Sequence, residues 1–491
     1  LAFLPELILI LASLVLLVVG AGREKRAAAW GKVTAAVFAV SLAALLSYRG
    51  PEADLGGGMV SLDSFAVLFR GIFLALGLVV ALISDDFLAK RPPARTEYWP
   101  LLMWAVLGMM FMVSSRDLLM IYLGLELVSL CSYVLAGYLK EDARSVEASM
   151  KYFLTGAVAS AVLLFGISLL YGFTGSTSLE AVARAASTAG SKAAVPEIVG
   201  YAALAFLVVG FGFKVAAAPL HMWAPDVYEG APTPITAFFS VGPKGAAFAA
   251  LLRVFFVGLG DFRSGWTAAF AFLAAASMVV GNLAALPQKN LKRMMAYSAI
   301  AHAGYVLVGF AAGSRAGAEA VAYYVLAYVF ANLGVFAVIW AVSARGEELG
   351  HYAGLARRHP VLAWSLVVHF LSLIGIPPLA GFFGKLYLLS AALERGQVWL
   401  ALAMVVNSAV SVGYYYGVVR QMFLVMEEGE DKEPHGRVGA ETAPKPGAEI
   451  RVGPLVTAVA VGTAALTVAL GLGVEYFLGW AAQAVAVLPQ F

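Results

Sequence analysis

Residues 121–139 read IYLGLELVSLCSYVLAGYL, and Glu126 is the only acidic or basic residue among them. A run this long and apolar suits a helix crossing the ~30 Å hydrocarbon core of a bilayer, which takes about 20 residues. Placing an ionised group near its middle costs roughly 3 kcal/mol on insertion scales. Lys214, Lys244 and Lys385 interrupt comparable apolar stretches. One such residue is explained by snorkelling or accident. Four in one chain point to a buried polar path.

The composition supports that frame. The chain has 491 residues, 61% of them hydrophobic and only 13% charged. Apolar runs of about 17 to 25 residues recur from end to end, more than one soluble core can bury. The chain is therefore expected to be an all-α polytopic membrane protein, in contact with membrane lipids. A net charge of +3 and the lack of a basic, aromatic-studded face exclude nucleic acid as a partner. Cys131 is the sole cysteine, which excludes internal disulfides and Cys-based iron–sulfur or zinc sites. The opening LAFLPELILILASLVLLVVG lacks a basic flank and reads as a first membrane helix rather than a signal peptide.

Apolar length and polar punctuation predict 14 transmembrane helices, near 4–20, 30–48, 62–83, 99–114, 117–139, 151–171, 199–218, 234–258, 266–286, 296–312, 321–342, 361–390, 398–424 and 453–480. The odd-numbered connections carry 21 Lys or Arg and the even-numbered ones seven. By the positive-inside rule the odd connections are cytoplasmic and both termini lie on the outer, periplasmic side. SLEAVARAASTAG, within 172–198, predicts a short amphipathic helix on the outer surface. Residues 425–452 are charged and proline-bearing and read as a mobile cytoplasmic loop.

Two spans carry prolines at their centre or end. The seventh runs into AAAPLHMWAPDVYEGAPTP, and the twelfth contains SLIGIPPLAGFFGKLYLL. Proline removes a donor and clashes with the preceding turn, so helices 7 and 12 are expected to break. Lys214 precedes Pro219 closely, and Lys385 follows Pro378. The breaks are five spans apart. Five is odd, so helices 4–8 (99–258) and 9–13 (266–424) would be inverted repeats, a recurring transporter design with ion sites at the breaks. Residues 1–98 would add three N-terminal spans and 453–480 a C-terminal one.

The available chemistry is proton movement. Burial disfavours a charged lysine and a nearby carboxylate favours it, so a carboxylate that moves can switch a lysine between holding and releasing a proton. Glu126 is the one buried carboxylate expected to act, with Lys214 its best partner and Lys244 and Lys385 as further stations. A neutral histidine both donates and accepts, which makes His221 and His302 candidate bridges, while His369 reads better as a capping or packing residue. Asp226 and Glu229 follow the seventh span and either admit protons or stabilise the loop. No glycine-rich loop follows a strand, and GPKG at 242–245 is not a phosphate-binding loop. No metal or flavin pattern appears.

The segments LMIYLGLELVSLCSYVLAGYLK, SVEASMKYFLTGAVASAVLLFG, GFGFKVAAAPLHMWAPDVYEGAPTPITAFFSVGPK, NLKRMMAYSAIAHAGYVLVG and GIPPLAGFFGKLYLL, in that order, closely resemble the N-type antiporter-like membrane subunits of bacterial complex I, the NADH:quinone oxidoreductases. The resemblance covers roughly residues 60–425. It implies fourteen helices, two inverted five-helix repeats with broken helices 7 and 12, and a proton half-path in each repeat joined by a central polar axis. The family's proton-translocating residues fall on Glu126, Lys214, Lys244, Lys385 and His302. Its basic pair falls on Lys292 and Arg293, and Lys151, His221, Asp226 and Glu229 are implied relay or coupling positions. A lysine at 385, where the M-type subunit has glutamate, favours the N type.

By the same resemblance this chain is a subunit of an enzyme whose redox site lies elsewhere. No cofactor or metal is expected in it; NADH, FMN, iron–sulfur clusters and quinone belong to partner subunits. The expected neighbours are M-type and K-type membrane subunits, and the expected location is the bacterial cytoplasmic (inner) membrane. Two other readings stand beside this one: a cation/proton antiporter subunit of a related complex, and a scaffold whose buried charges only hold helices together.

Overall fold

The computed structural model describes residues 2–20, 27–48, 50, 52–89, 96–188, 197–343, 346–425 and 453–488. The charged stretch expected as a cytoplasmic loop, 425–452, lies outside the described residues except for Val425.

The chain forms α1 (Leu4–Gly20), α2 (Ala27–Ser47), α3 (Ser64–Ala89), α4 (Tyr98–Ser114), α5 (Leu118–Ala136), α6 (Ala143–Thr174) and α7 (Leu179–Thr188). Next come α8 (Glu197–Lys214), α9 (Trp223–Gly230), α10 (Thr233–Leu251), α11 (Arg263–Ala285), α12 (Leu291–Ala312) and α13 (Arg315–Val342). The last are α14 (Leu355–Arg358), α15 (Pro360–Ile374), α16 (Ala380–Glu394), α17 (Val398–Leu424), α18 (Pro454–Leu472) and α19 (Val474–Val485). Among the described residues, ten helices are long and apolar enough to cross a membrane, and four shorter apolar helices accompany them. The amphipathic helix expected within 172–198 is α7.

The sequence reading contained no strand. A small antiparallel hairpin, β1 (Ala53–Leu55) with β2 (Val60–Leu62), turns through Gly56, Gly57 and Gly58, all at positive φ. Three adjacent residues in that region of backbone space are sterically cheap only as glycine.

Burial divides the helices into an inner and an outer set. Every residue of α10 is buried, and nearly all of α12 and α13. A helix enclosed on all sides must be apolar all round, so Lys244 in the middle of α10 stands out. The outer helices turn large apolar side chains outward, among them Leu11, Val158 and Leu402. Such a surface belongs against lipid or partner proteins.

Glycines set two of the close helix crossings. A Cβ on Gly108 of α4 would lie 2.8 Å from the carbonyl oxygen of Gly124 on α5, and one on Gly281 of α11 would lie 2.5 Å from the backbone nitrogen of Ala301 on α12. Small residues at such contacts let backbones approach and pack tightly.

Buried ion pairs fasten the N-terminal helices to this core. Asp63 accepts from Arg253 Nη2 at 2.7 and 2.9 Å and from Arg116 Nη2 at 3.3 Å, and it caps α3 through the backbone nitrogen of Ala66 at 2.8 Å. Arg253 also donates to the carbonyl of Val113 at 2.7 Å. One carboxylate thus ties the start of α3, the α4–α5 link and the π-helical turn Leu252–Gly258 after α10. Glu6 of α1 pairs with Arg70 of α3, both buried. Glu126, expected to be buried, is half-buried, whereas Glu6 and Asp63 are fully enclosed, each facing an arginine that neutralises it.

Removing one partner of such a pair strands the other charge. Asp63→Ala is expected to destabilise the protein by about 3 to 5 kcal/mol. The check is the assembled fraction on native gels together with the thermal inactivation midpoint. Wild-type values for both would mean that Asp63 does not fasten this corner.

Candidate functional site

The three interior lysines share one environment. Lys214 Nζ lies 6.0 Å from the centre of the Tyr152 ring, Lys244 Nζ 5.3 Å from that of Tyr228, and Lys385 Nζ 4.3 Å from that of Tyr305. A ring face attracts a cation by about 2 kcal/mol or more where water is excluded.

Lys214 is the last residue of α8, where the negative end of the helix dipole favours a cation. The helix stops there, short of the expected limit at 218. The chain leaves it through Ala216 at positive φ, then a cis bond to Pro219. The carbonyl of Phe213 accepts from Trp223 Nε1 at 3.0 Å as well as from the backbone nitrogen of Ala216, and Ser277 Oγ accepts from the backbone nitrogen of Ala218 at 2.8 Å. Trp223 stacks on Tyr152 with ring centres 4.5 Å apart. The interruption is thus satisfied by protein groups, the condition for irregular backbone at membrane depth.

Lys214 Nζ donates to Ser129 Oγ, which in turn donates to the carbonyl of Leu125 at 2.5 Å. Glu126, the expected partner, forms no contact ion pair with Lys214, whose amine is turned to Ser129. Its Oε1 is buried without a hydrogen-bond partner. Ser129 stands three residues on from Glu126, on the same helix face. That spacing is the signal that could have found it.

Lys244 Nζ is buried and has no hydrogen-bond partner. It lines a cavity of about 10 Å³ with His302 and Tyr328, room for about one water. His302 Nδ1 is 2.7 Å from Tyr324 Oη and its Nε2 3.4 Å from Tyr415 Oη. A second small cavity leads from His302 past Tyr328 to Ser372 and Gly381. Tyr324 and Tyr328 recur at helical spacing on α13, and Asn332 continues the row. Sequence reasoning passed over all three as uncharged.

Lys385 Nζ donates to the carbonyl of Ile374, the last residue of α15, at 2.9 Å and to Ser408 Oγ at 3.1 Å. Between α15 and α16 the chain turns through Gly375 at positive φ and a cis Pro377–Pro378 bond. His369, fully buried, faces Thr463 Oγ1 and the carbonyl of Ala460, each at 3.3 Å. It is not part of the lysine row.

The remaining candidates gather at one end of the bundle. Asp226 bridges Lys151 at 2.6 Å and Arg293 at 2.7 Å, and Arg293 reaches Glu229 at 2.9 Å. Lys292 Nζ donates to the carbonyls of Glu229 and Ala231 at 2.9 and 2.7 Å and pairs with Glu347 at 2.9 Å. A polar cleft of about 170 Å³, lined by Arg144, Glu147, Asp226, Glu229 and Arg293, opens beside them. His221 is separate from this network, its Nδ1 buried and unpartnered. Among the described residues no three His, Cys, Asp or Glu are grouped to hold a metal.

This many apolar helices around a row of buried lysines define a multi-pass membrane protein. Residues 115–411 match the family described as NADH:quinone oxidoreductase/Mrp antiporter, TM. The chain is 48% identical to NADH-quinone oxidoreductase subunit N 2 of Symbiobacterium thermophilum, over 99% of this chain and 97% of that protein. Among solved structures it is similar to a chain of respiratory complex I from Thermus thermophilus with bound Aureothin, at 36% identity and TM-score 0.79, covering 98% of this chain and 100% of that one. It is also similar to a chain of the Mrp complex from Dietzia sp., at 25% identity and TM-score 0.83, covering 99% and 97%. The chain belongs to the subunit N family of bacterial NADH-quinone oxidoreductase, and is thus a multi-pass inner-membrane subunit of that enzyme.

Burial pushes the Asp226 carboxyl up, but hydrogen bonds from Lys151 and Arg293 outweigh it and hold the group below its ordinary value. A lowered folded value means that the stabilisation is full above the unfolded value of ~3.9 and is lost only as pH falls through the folded one. The difference in thermal midpoint between wild type and Asp226→Asn should therefore stay constant from about pH 7 to about pH 5 and close only below about pH 4. A difference that closes already near pH 6 would contradict this.

Proposed function

We propose that this chain moves protons across the membrane through Glu126, Lys214, Lys244, His302 and Lys385, driven by quinone reduction in other subunits. The observation that carries the reading is Lys244. A buried ammonium with no hydrogen-bond partner, beside a water-sized cavity shared with a histidine, is costly as scaffolding and useful as a proton station. Glu126 then biases Lys214 by its charge, and the network of Lys151, Asp226, Glu229, Lys292 and Arg293 couples or admits protons at the cytoplasmic end.

The same reading takes the ten long and four shorter apolar helices as fourteen spans, with both termini periplasmic. It pairs 99–258 with 266–424 as inverted repeats. Support comes from the glycine-mediated crossing of α4 with α5 and of α11 with α12, the first helix pair of each half, and from the interruptions after α8 and α15. NADH, FMN, iron–sulfur clusters and quinone would sit in partner subunits, with M-type and K-type subunits as neighbours. The likeness to a chain of an Mrp complex favours a second reading, in which the path exchanges a cation for protons.

Lys214→Ala and Lys244→Ala in native membranes test the first reading. Each should assemble normally on native gels yet lower NADH-driven proton uptake and quinone reduction together by at least about tenfold, since positioned proton transfer is worth roughly 10² to 10⁴. Full pumping in both assembled variants would end it. A strict requirement for sodium would favour the second.

A further inference from the structure

The short helix α9 ends where the chain offers little backbone to close it. Pro232 follows the capping residue Ala231, and a proline nitrogen has no hydrogen, so a donor that commonly closes the last turn is missing. The final carbonyls of α9 therefore need partners from elsewhere. Thr236 Oγ1 donates to the carbonyl of Tyr228 at 3.0 Å. Lys292 Nζ donates to the carbonyls of Glu229 and Ala231 at 2.9 and 2.7 Å. Lys292 belongs to α12, so the end of α9 is closed from the second half of the chain.

Lys292 is enclosed, at 2% exposure. Its third hydrogen goes to Glu347 Oε1 at 2.9 Å. Glu347 is held in place by its backbone, since its carbonyl accepts from the nitrogen of Leu291 at 2.8 Å and the nitrogen of Leu349 donates to the carbonyl of Lys289 at 2.8 Å. Three hydrogens meet three acceptors, and giving one up would strand an acceptor. Arg293, the next residue, grips the carboxylates of Asp226 and Glu229, which lie on one face of α9. The start of α12 thus holds α9 both by its end and by a face.

The other end of α9 lies at Lys214. Trp223, its first residue, bonds the carbonyl of Phe213 and stacks on Tyr152, the ring that Lys214 faces. Eight residues of helix, about 12 Å, separate the two ends. A displacement of α9 at Lys292 is therefore felt around Lys214.

We infer that Lys292, oriented by Glu347, is a positioning residue that passes no proton itself: it fixes the end of α9 and, through α9, the surroundings of Lys214. This deepens the reading above that Lys214 carries protons and rests on it.

The test uses the assembled complex in native membranes and reads coupled quinone reduction, proton uptake and the pH profile of turnover. Lys292→Met removes all three bonds. It should lower coupled turnover roughly tenfold, about the worth of one hydrogen bond to a charged group. It should also displace the pH profile by about half a unit or more, because the surroundings of Lys214 change. Glu347→Gln leaves an oxygen for the ammonium but cannot take up its proton, so it should keep the wild-type profile and turnover within about twofold of wild type. Lost turnover in assembled Glu347→Gln would make the pair a relay and overturn the inference. A wild-type pH profile in assembled Lys292→Met would overturn it too, since a merely structural tie lowers turnover without moving the profile. If Lys292→Met does not assemble, Glu347→Ala decides by the same profile criterion. Lys214→Ala separates the two readings: inactive beside an undisplaced profile, it leaves the proton reading standing, whereas its full activity would overturn both.

Discussion

The structure depends on how an ammonium group can be kept inside an apolar bundle. Insertion costs roughly 3 kcal/mol, and a desolvated tyrosine face returns about 2. The ring therefore covers much of the cost and leaves a remainder that each site meets differently. Lys214 uses Ser129 and the end of a helix, and Lys385 uses Ser408 and the carbonyl of Ile374. Lys244 has neither, and the space for a water lies beside it. The lysine least provided for by protein groups is thus the one next to the cavity shared with His302.

The backbone follows the same constraint. At the interruptions after α8 and α15, Trp223, Ser277 and Lys385 bond to backbone groups that regular helix no longer satisfies alone. The central helices α10, α12 and α13 hold Lys244, His302 and Asn332 and are shielded by the rest. The ion pairs of Asp63 with Arg253 and Glu6 with Arg70 hold the N-terminal helices against that interior without opening it to water.

Much of this was legible in the residues. Helix positions followed from apolar length, and Lys214, Lys244 and Lys385 announced themselves as charges in apolar runs. The interruptions were readable from Pro219 and from Pro377 and Pro378. Less visible was everything that works through uncharged groups. Tyr152, Tyr228 and Tyr324 look like ordinary aromatic packing in one dimension, because a ring face has no polarity signature in sequence. Asn282 and Asn407 sit on different helices, and their meeting is a tertiary fact. The pairing of Glu126 with Lys214 read as a contact because opposite charges suggest one. The helix ends at Lys214 and turns its amine to Ser129 instead.

The bond from Lys385 to Ile374 has a consequence for what this residue can be. A protonated amine has three hydrogens and a neutral one has two, and Lys385 makes two hydrogen bonds, to Ile374 and Ser408. It can therefore lose its charge and still hold the end of α15 in place. A carboxylate at this position would have no hydrogen to offer that carbonyl, and a guanidinium would never give one up. The site can be discharged without being dismantled, so the helix end and the charge on it are free to vary independently.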